Sequence, residues 1–263
     1  MITQDPTVQQ DPTVRPEPTV QQEIHEVVQW ALKEKPPSRV GYFAALYWTV
    51  AKAIEKERHL FQHKEWLDEL NHAFYRRYAD AVAAYKGDRS APDAWEAAFD
   101  AARNGKLLIV QHVLLGANAH INVDLAAATA ETLKPNQLAA FERDFHLMNQ
   151  VLGEVVDQTC RSLSRVWPFL RLVNRYFLRE EDAVLKFSLG RAREHAWLRA
   201  QELVKLEGDA LKAAIDDLNA EAVDIAHRIV KPDQPLGFLV QILRQGELRS
   251  VPRVINFIVD RAR

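Results

Sequence analysis

Leu107-Leu108-Ile109-Val110-Gln111-His112-Val113-Leu114-Leu115-Gly116-Ala117-Asn118-Ala119-His120-Ile121-Asn122-Val123-Asp124-Leu125-Ala126-Ala127-Ala128-Thr129-Ala130 is the stretch on which the fold turns. Asp124 is its only formally charged residue. The run is apolar on all sides of a helical wheel, the mark of a helix covered by other helices. A membrane span is the competing reading. Gln111, His112, Asn118, His120 and Asn122 interrupt the run too often for lipid, and neither an aromatic belt nor a basic cluster flanks it. A helix at the centre of a protein core accounts for it better.

Helical spacing continues on both sides. Val40, Phe43, Ala44, Tyr47, Val50, Ala51 and Ile54 mark one amphipathic helix, and Leu67, Leu70, Phe74, Tyr78, Ala81 and Tyr85 mark the next. Leu211, Ile215, Leu218, Ala222, Ile225 and Ile229 alternate steps of four and three. Shorter helices are expected near 23–34, 92–103, 169–177, 236–245 and 251–261. Gly87, Gly105 and Gly208 fall where helices should end. No run alternates with period two, and no Asn-Gly or Asp-Gly turn announces a hairpin. The expected fold is all-α, a single multi-helix domain of about ten helices around the central apolar one.

The N-terminus differs. Asp5-Pro6-Thr7-Val8, Asp11-Pro12-Thr13-Val14 and Glu17-Pro18-Thr19-Val20 repeat with a six-residue period. Regular prolines with few large apolar residues cannot form a packed core, so residues 1–22 are expected to be a disordered, proline-rich tail and residues 23–263 the domain. Such a tail serves as a spacer or docks a protein partner. The net charge of -2 is spread along the chain and leaves no nucleic-acid footprint. The one cysteine, Cys160, excludes an internal disulfide framework. No basic start followed by an apolar run marks a signal peptide, so a cytoplasmic protein is expected.

Chemistry concentrates on the central helix. His112, Gly116, His120 and Asp124 follow one another at steps of four, along one slowly rotating stripe. His120 and Asp124 can aim a nitrogen and a carboxylate oxygen at one point, half of a site for zinc or a similar divalent ion. Gly116 leaves room for a helix or a ligand. After Pro135, His146, Asn149, Gly153 and Asp157 share a face of the next helix. A short connection suggests that the two helices lie antiparallel and adjacent, so that His112, His146 or Asp157 would complete the site. His59 and His63 share the four-residue spacing and Glu69 precedes His72 by three, but their charged surroundings favour a solvated surface. Arg193 and Trp197 are candidates for clamping an anion, or form a cation–π brace.

The string Gln111 to Asp124, with Val40-Gly41-Tyr42-Phe43-Ala44-Ala45-Leu46-Tyr47, Asp144-Phe145 with Asn149, and Ala192-Arg193 with Ala196-Trp197, resembles an uncharacterised bacterial family of all-helical domains of unknown function. The likeness covers about residues 38–205. It implies a helical fold and transfers no activity. Leu115, Gly116, His120 and Asp124 are more loosely similar to the zinc-dependent phospholipase C and single-strand nuclease group. That group adds a His-x-x-x-Glu helix, and no histidine here has a glutamate four places later. Two readings stay open. One is a metal-dependent hydrolase with a His/Asp site between core helices, whose bound metal would lower the pKa of water. The other is a non-catalytic helical module that binds a small molecule or partner, its buried His and Asp being structural.

Overall fold

A computed structural model describes residues 18–166, 189–234 and 250–260, with the isolated positions 237, 240 and 244. All secondary structure among the described residues is helical. The elements are α1 (Val20–Lys33), α2 (Val40–Lys56), α3 (Lys64–Lys86), α4 (Asp93–Asn104), α5 (Ile109–Ala119), a π-helical segment (His120–Leu125), α6 (Ala126–Thr132), α7 (Leu138–Val166), α8 (Leu189–Leu203), α9 (Gly208–Val230) and α10 (Val251–Asp260). A short 3-10 turn, Arg58–Leu60, links α2 to α3. The helix expected near 169–177 lies outside the described residues, as do residues 1–17 and all of 236–245 but the three isolated positions. None of the described helices is long and apolar enough to cross a membrane.

α1 begins at Val20, within the last copy of the repeat, because Thr19 caps it. The Thr19 hydroxyl accepts from the Gln22 amide at 3.3 Å, and the Gln22 side chain accepts from the Thr19 amide at 2.9 Å. This reciprocal pair satisfies two helix-end donors and starts the helix at Val20.

α5, the π segment and α6 form one continuous rod. Every residue from Leu115 to Thr129 is buried. α2, α4 and α9 pack on α5, α3, α8 and α9 on the π segment, and α3 and α8 on α6. Gly116 permits a close approach of α2, since a Cβ there would stand 2.5 Å from Cγ and 2.8 Å from Cβ of Phe43. The room that glycine leaves is taken by α2.

Gly105 closes α4 in the left-handed region, at φ 62°. The Arg39 guanidinium lies over that glycine and donates to the Ala102 carbonyl at 3.3 Å, a cation at the negative end of the helix.

The sequence spacing sets α7 beside the central rod, but its main neighbours are α2 and α8. Two contacts fix it there. Buried Asp144 accepts from the amides of Gln62 and His63, and Phe145 packs on Trp197 of α8 with ring centroids 4.7 Å apart. These contacts settle where the histidine of α7 can go.

Candidate functional site

The His120 imidazole is held on all sides. Phe74 of α3 stacks on it, with centroids 3.5 Å apart and planes 8° from parallel. Tyr47 of α2 meets it edge-on at 4.5 Å, and Phe43, Tyr78 and Trp95 complete the aromatic surround. Nδ1 lies 3.0 Å from Oδ2 of Asp124. The Trp95 indole donates to that same oxygen at 2.9 Å. An indole nitrogen only donates, so Oδ2 acts as an acceptor, and we assign the imidazole proton to Nδ1 on that pattern. Nε2 is then left with a lone pair. It is buried, and no hydrogen-bond partner among the described residues reaches it.

Burial favours the uncharged ring and pushes the His120 pKa down; Asp124 pulls it upward and the positive charge of Arg193 lowers it further, with the balance falling below the ordinary value. Neutral imidazole is the resting form. Burial, with Asp124 next in effect, likewise holds Tyr47 as the phenol.

His120 lines a cavity of about 70 Å³. Leu46, Val50, Ile54, Leu70, Ile121 and Leu125 make much of its wall, Met148 and Leu152 of α7 close one side, and Arg193 of α8 brings a charge. Val20, Gln21 and Asn71 belong both to this cavity and to a wider polar groove of about 750 Å³ bordered by His25, Trp48, Lys52, Glu55 and His72. The groove thus adjoins the cavity. Asp124 is not in the cavity wall; it stands behind the imidazole.

The π-helical segment runs from His120 to Leu125, the stretch that carries the pair. An extra residue in a helical turn is a strained arrangement found often at functional positions. Here it coincides with an orphan nitrogen and a hollow.

The other residues singled out from the sequence separate into groups. His112 faces away from the main cavity. With Gly116, Tyr78, Trp95 and Arg39 it borders a second hollow of about 20 Å³, with Phe43 common to both. Neither ring nitrogen of His112 has a hydrogen-bond partner, and burial, aided by Arg39, lowers its pKa to about 4. His112 therefore does not join His120 and Asp124.

His146 does not reach the pair either. Its side chain is 42% exposed, 3.8 Å from Glu142 and beside Trp197. The face that α7 turns to the cavity is Met148 and Leu152, because Asp144 and Phe145 anchor the helix in that rotation. The side chains of Asn149, Gly153 and Asp157, and Cys160, lie outside the described residues. Arg193 and Trp197 do not act as one clamp. Arg193 is in the cavity wall, its guanidinium carbon 5.3 Å from the Phe145 ring, whereas Trp197 packs behind it on Phe145. Burial lowers the Arg193 pKa to about 9.

Among the described residues no three His, Cys, Asp or Glu side chains gather to hold a metal ion. Of the outlying histidines, His59 and His72 are exposed and bonded to backbone carbonyls of their own helix or turn. His63 is half-buried, with Nδ1 3.1 Å from Asp144.

No signal in the sequence joined Trp95, Phe74 and Tyr47 to His120, although Phe74 and Tyr47 were placed on core-facing stripes. Each arrives from a different helix. No curated protein and no solved structure matches the chain. Residues 18–232 match the model of DUF5995, and the chain belongs to this family of unknown function.

Proposed function

We propose that this domain binds a small, mostly apolar molecule, or the apolar arm of a larger one, in the cavity beside His120. The observation that carries the proposal is the hollow itself, whose largely apolar wall includes the His120 ring, oriented from behind by Asp124 and Trp95, together with Arg193. Concave apolar surface with one or two placed polar groups is the usual form of a small-molecule site. The polar groove that adjoins it would extend the site for a ligand with a solvated end.

This reading takes the small-molecule branch of the two derived from the sequence. A zinc-like hydrolytic centre on His120 and Asp124 fits the residues less well. Oδ2 of Asp124 already accepts from Trp95 and His120, and the described residues offer no third donor. Asp124 acts here as the group that orients the imidazole.

Met148 provides the test. The chain has two methionines, Met1 and Met148, so methyl-labelled methionine gives one resonance from the cavity wall. Toluene titrated into the protein is expected to move that resonance saturably. In Ala51→Phe, which fills the cavity from α2, the response should vanish. A Met148 methyl that stays put, or that responds equally in both proteins, would overturn the proposal.

A further inference from the structure

We infer that Phe43 is the specificity-determining residue of this cavity: its ring divides the hollow from the second one beside His112 and limits the rigid part of a ligand to a single small ring. The inference rests on the binding reading above and adds the limit on ligand shape.

The position of the ring carries it. Phe43 lines both hollows, the one of about 70 Å³ and the one of about 20 Å³. Two of its ring neighbours belong to the larger: Tyr47, stacked with centroids 5.9 Å apart, and His120 at 5.6 Å. Two others, Tyr78 at 5.5 Å and Trp95 at 5.7 Å, border the smaller. The phenyl group is therefore the partition between them.

The partition is held firmly. Gly116, itself on the border of the second hollow, brings the α5 backbone against Phe43. A Cβ at that glycine would stand 2.5 Å from Cγ and 2.8 Å from Cδ2 of the phenyl group. Backbone on one side and aromatic rings about it leave the side chain little freedom to turn away, as in any close-packed core.

The opposite border differs. A flexible ligand would extend past Val20, Gln21 and Asn71, which line both the cavity and the polar groove. A rigid two-ring hydrocarbon gains little in that direction, because apolar surface left among polar groups and water is not buried. Its second ring needs the space of the Phe43 phenyl group and the hollow beyond.

Toluene and naphthalene test this. Naphthalene has the larger apolar surface, so burial alone would give it the tighter binding. In the unsubstituted protein the order is expected to be the reverse, toluene binding more tightly by about tenfold at the Met148 methyl, because the second ring overpacks the wall. The His112 ring signals, across the partition, should not move. In Phe43→Ala naphthalene should overtake toluene and move the His112 signals together with Met148. A merely structural role for Phe43 would weaken both compounds alike and leave His112 unmoved. Phe43→Leu is the milder opening and should narrow the gap; the unsubstituted protein decides alone if neither variant folds. If neither compound binds it, both this inference and the cavity reading fall. If naphthalene binds it as well as toluene does, the cavity reading stands and the Phe43 inference is overturned. The same holds if folded Phe43→Ala still prefers toluene, or takes naphthalene with His112 unmoved.

Discussion

Trp95 and Asp124 stand 29 positions apart on different helices, and the indole N–H of one donates to the carboxylate oxygen of the other at 2.9 Å. That oxygen also faces His120 Nδ1 at 3.0 Å, so a single atom organises three buried side chains. Asp124→Leu would leave both an indole N–H and an imidazole N–H without an acceptor. Loss of one partner of a buried polar group is expected to cost about 3–5 kcal/mol. In a Trp95→Phe background one of the orphans is gone, and Asp124→Leu should cost about 1–3 kcal/mol less. Urea unfolding of the four proteins in this cycle measures the difference. Additive effects would show that Trp95 and Asp124 are not coupled.

Gly116→Ala tests the crossing of α2 and α5. The new methyl would lie 2.5 Å from Cγ and 2.8 Å from Cβ of Phe43. Overpacking of a rigid core costs about 1–3 kcal/mol. For a domain of this size the melting temperature should fall by about 2–4 °C per kcal/mol. Trimming the ring in Phe43→Ala should relieve only part of the clash, because Phe43 Cβ is itself in the way. An unchanged melting temperature for Gly116→Ala would mean that the helices are free to part.

Which parts of this arrangement were legible in the sequence follows from the range of the interactions. Helical faces are local. Of the stripe on α9, Leu218, Ala222 and Ile229 are buried and Leu211, Ile215 and Ile225 pack partly buried against the core, while Gly87 and Gly105 stand at helix ends. The His120–Asp124 contact is also local, one turn apart, and could be read from spacing alone. What could not be read was the rotation of α7. His146 and Met148 are two positions apart, about 200° around a helix, and the spacing points the His146 face toward the apolar helix, whereas Met148 lines the cavity. The choice between them is made by Asp144 and the amides near residue 62, a contact across 82 positions with no periodic signature. Trp95 was hidden for the same reason. The start of the first helix, expected near residue 23, falls at Val20 because Thr19 and Gln22 form a capping pair there.

Asp144 can be tested at that remote contact. Burial alone would raise its pKa; the amides of His63 and Gln62, and the His63 ring, outweigh burial and hold it below the usual carboxylate value. A depressed pKa in the folded state means stability that is present above the unfolded pKa and lost as pH falls through the folded one. Asp144→Ala removes the acceptor for both amides and is expected to cost about 3 kcal/mol. Hydrogen exchange at the Gln62 and His63 amides should accelerate in the variant more than exchange in α9, which Asp144 does not touch. Uniform acceleration would assign Asp144 to the core at large and not to the turn.

His112 is expected to contribute acid sensitivity in a milder range. Its folded pKa of about 4 lies below the 6.5 of a free imidazole, because burial and then Arg39 oppose the charged form. The unfolded chain therefore binds the proton first as pH falls, so the contribution is fully present above about 6.5 and is lost progressively toward about 4. The whole effect is about 3 kcal/mol, of which about 2 kcal/mol should be gone at about pH 5. His120 is shifted in the same direction and adds to the slope. His112→Phe replaces one ring with another beside Tyr42 and removes the titrating group. Urea unfolding at about pH 7 and pH 5 should then show a smaller loss in the variant by about 2 kcal/mol. Equal losses in the two proteins would place the acid sensitivity elsewhere, with His120 the next group to replace.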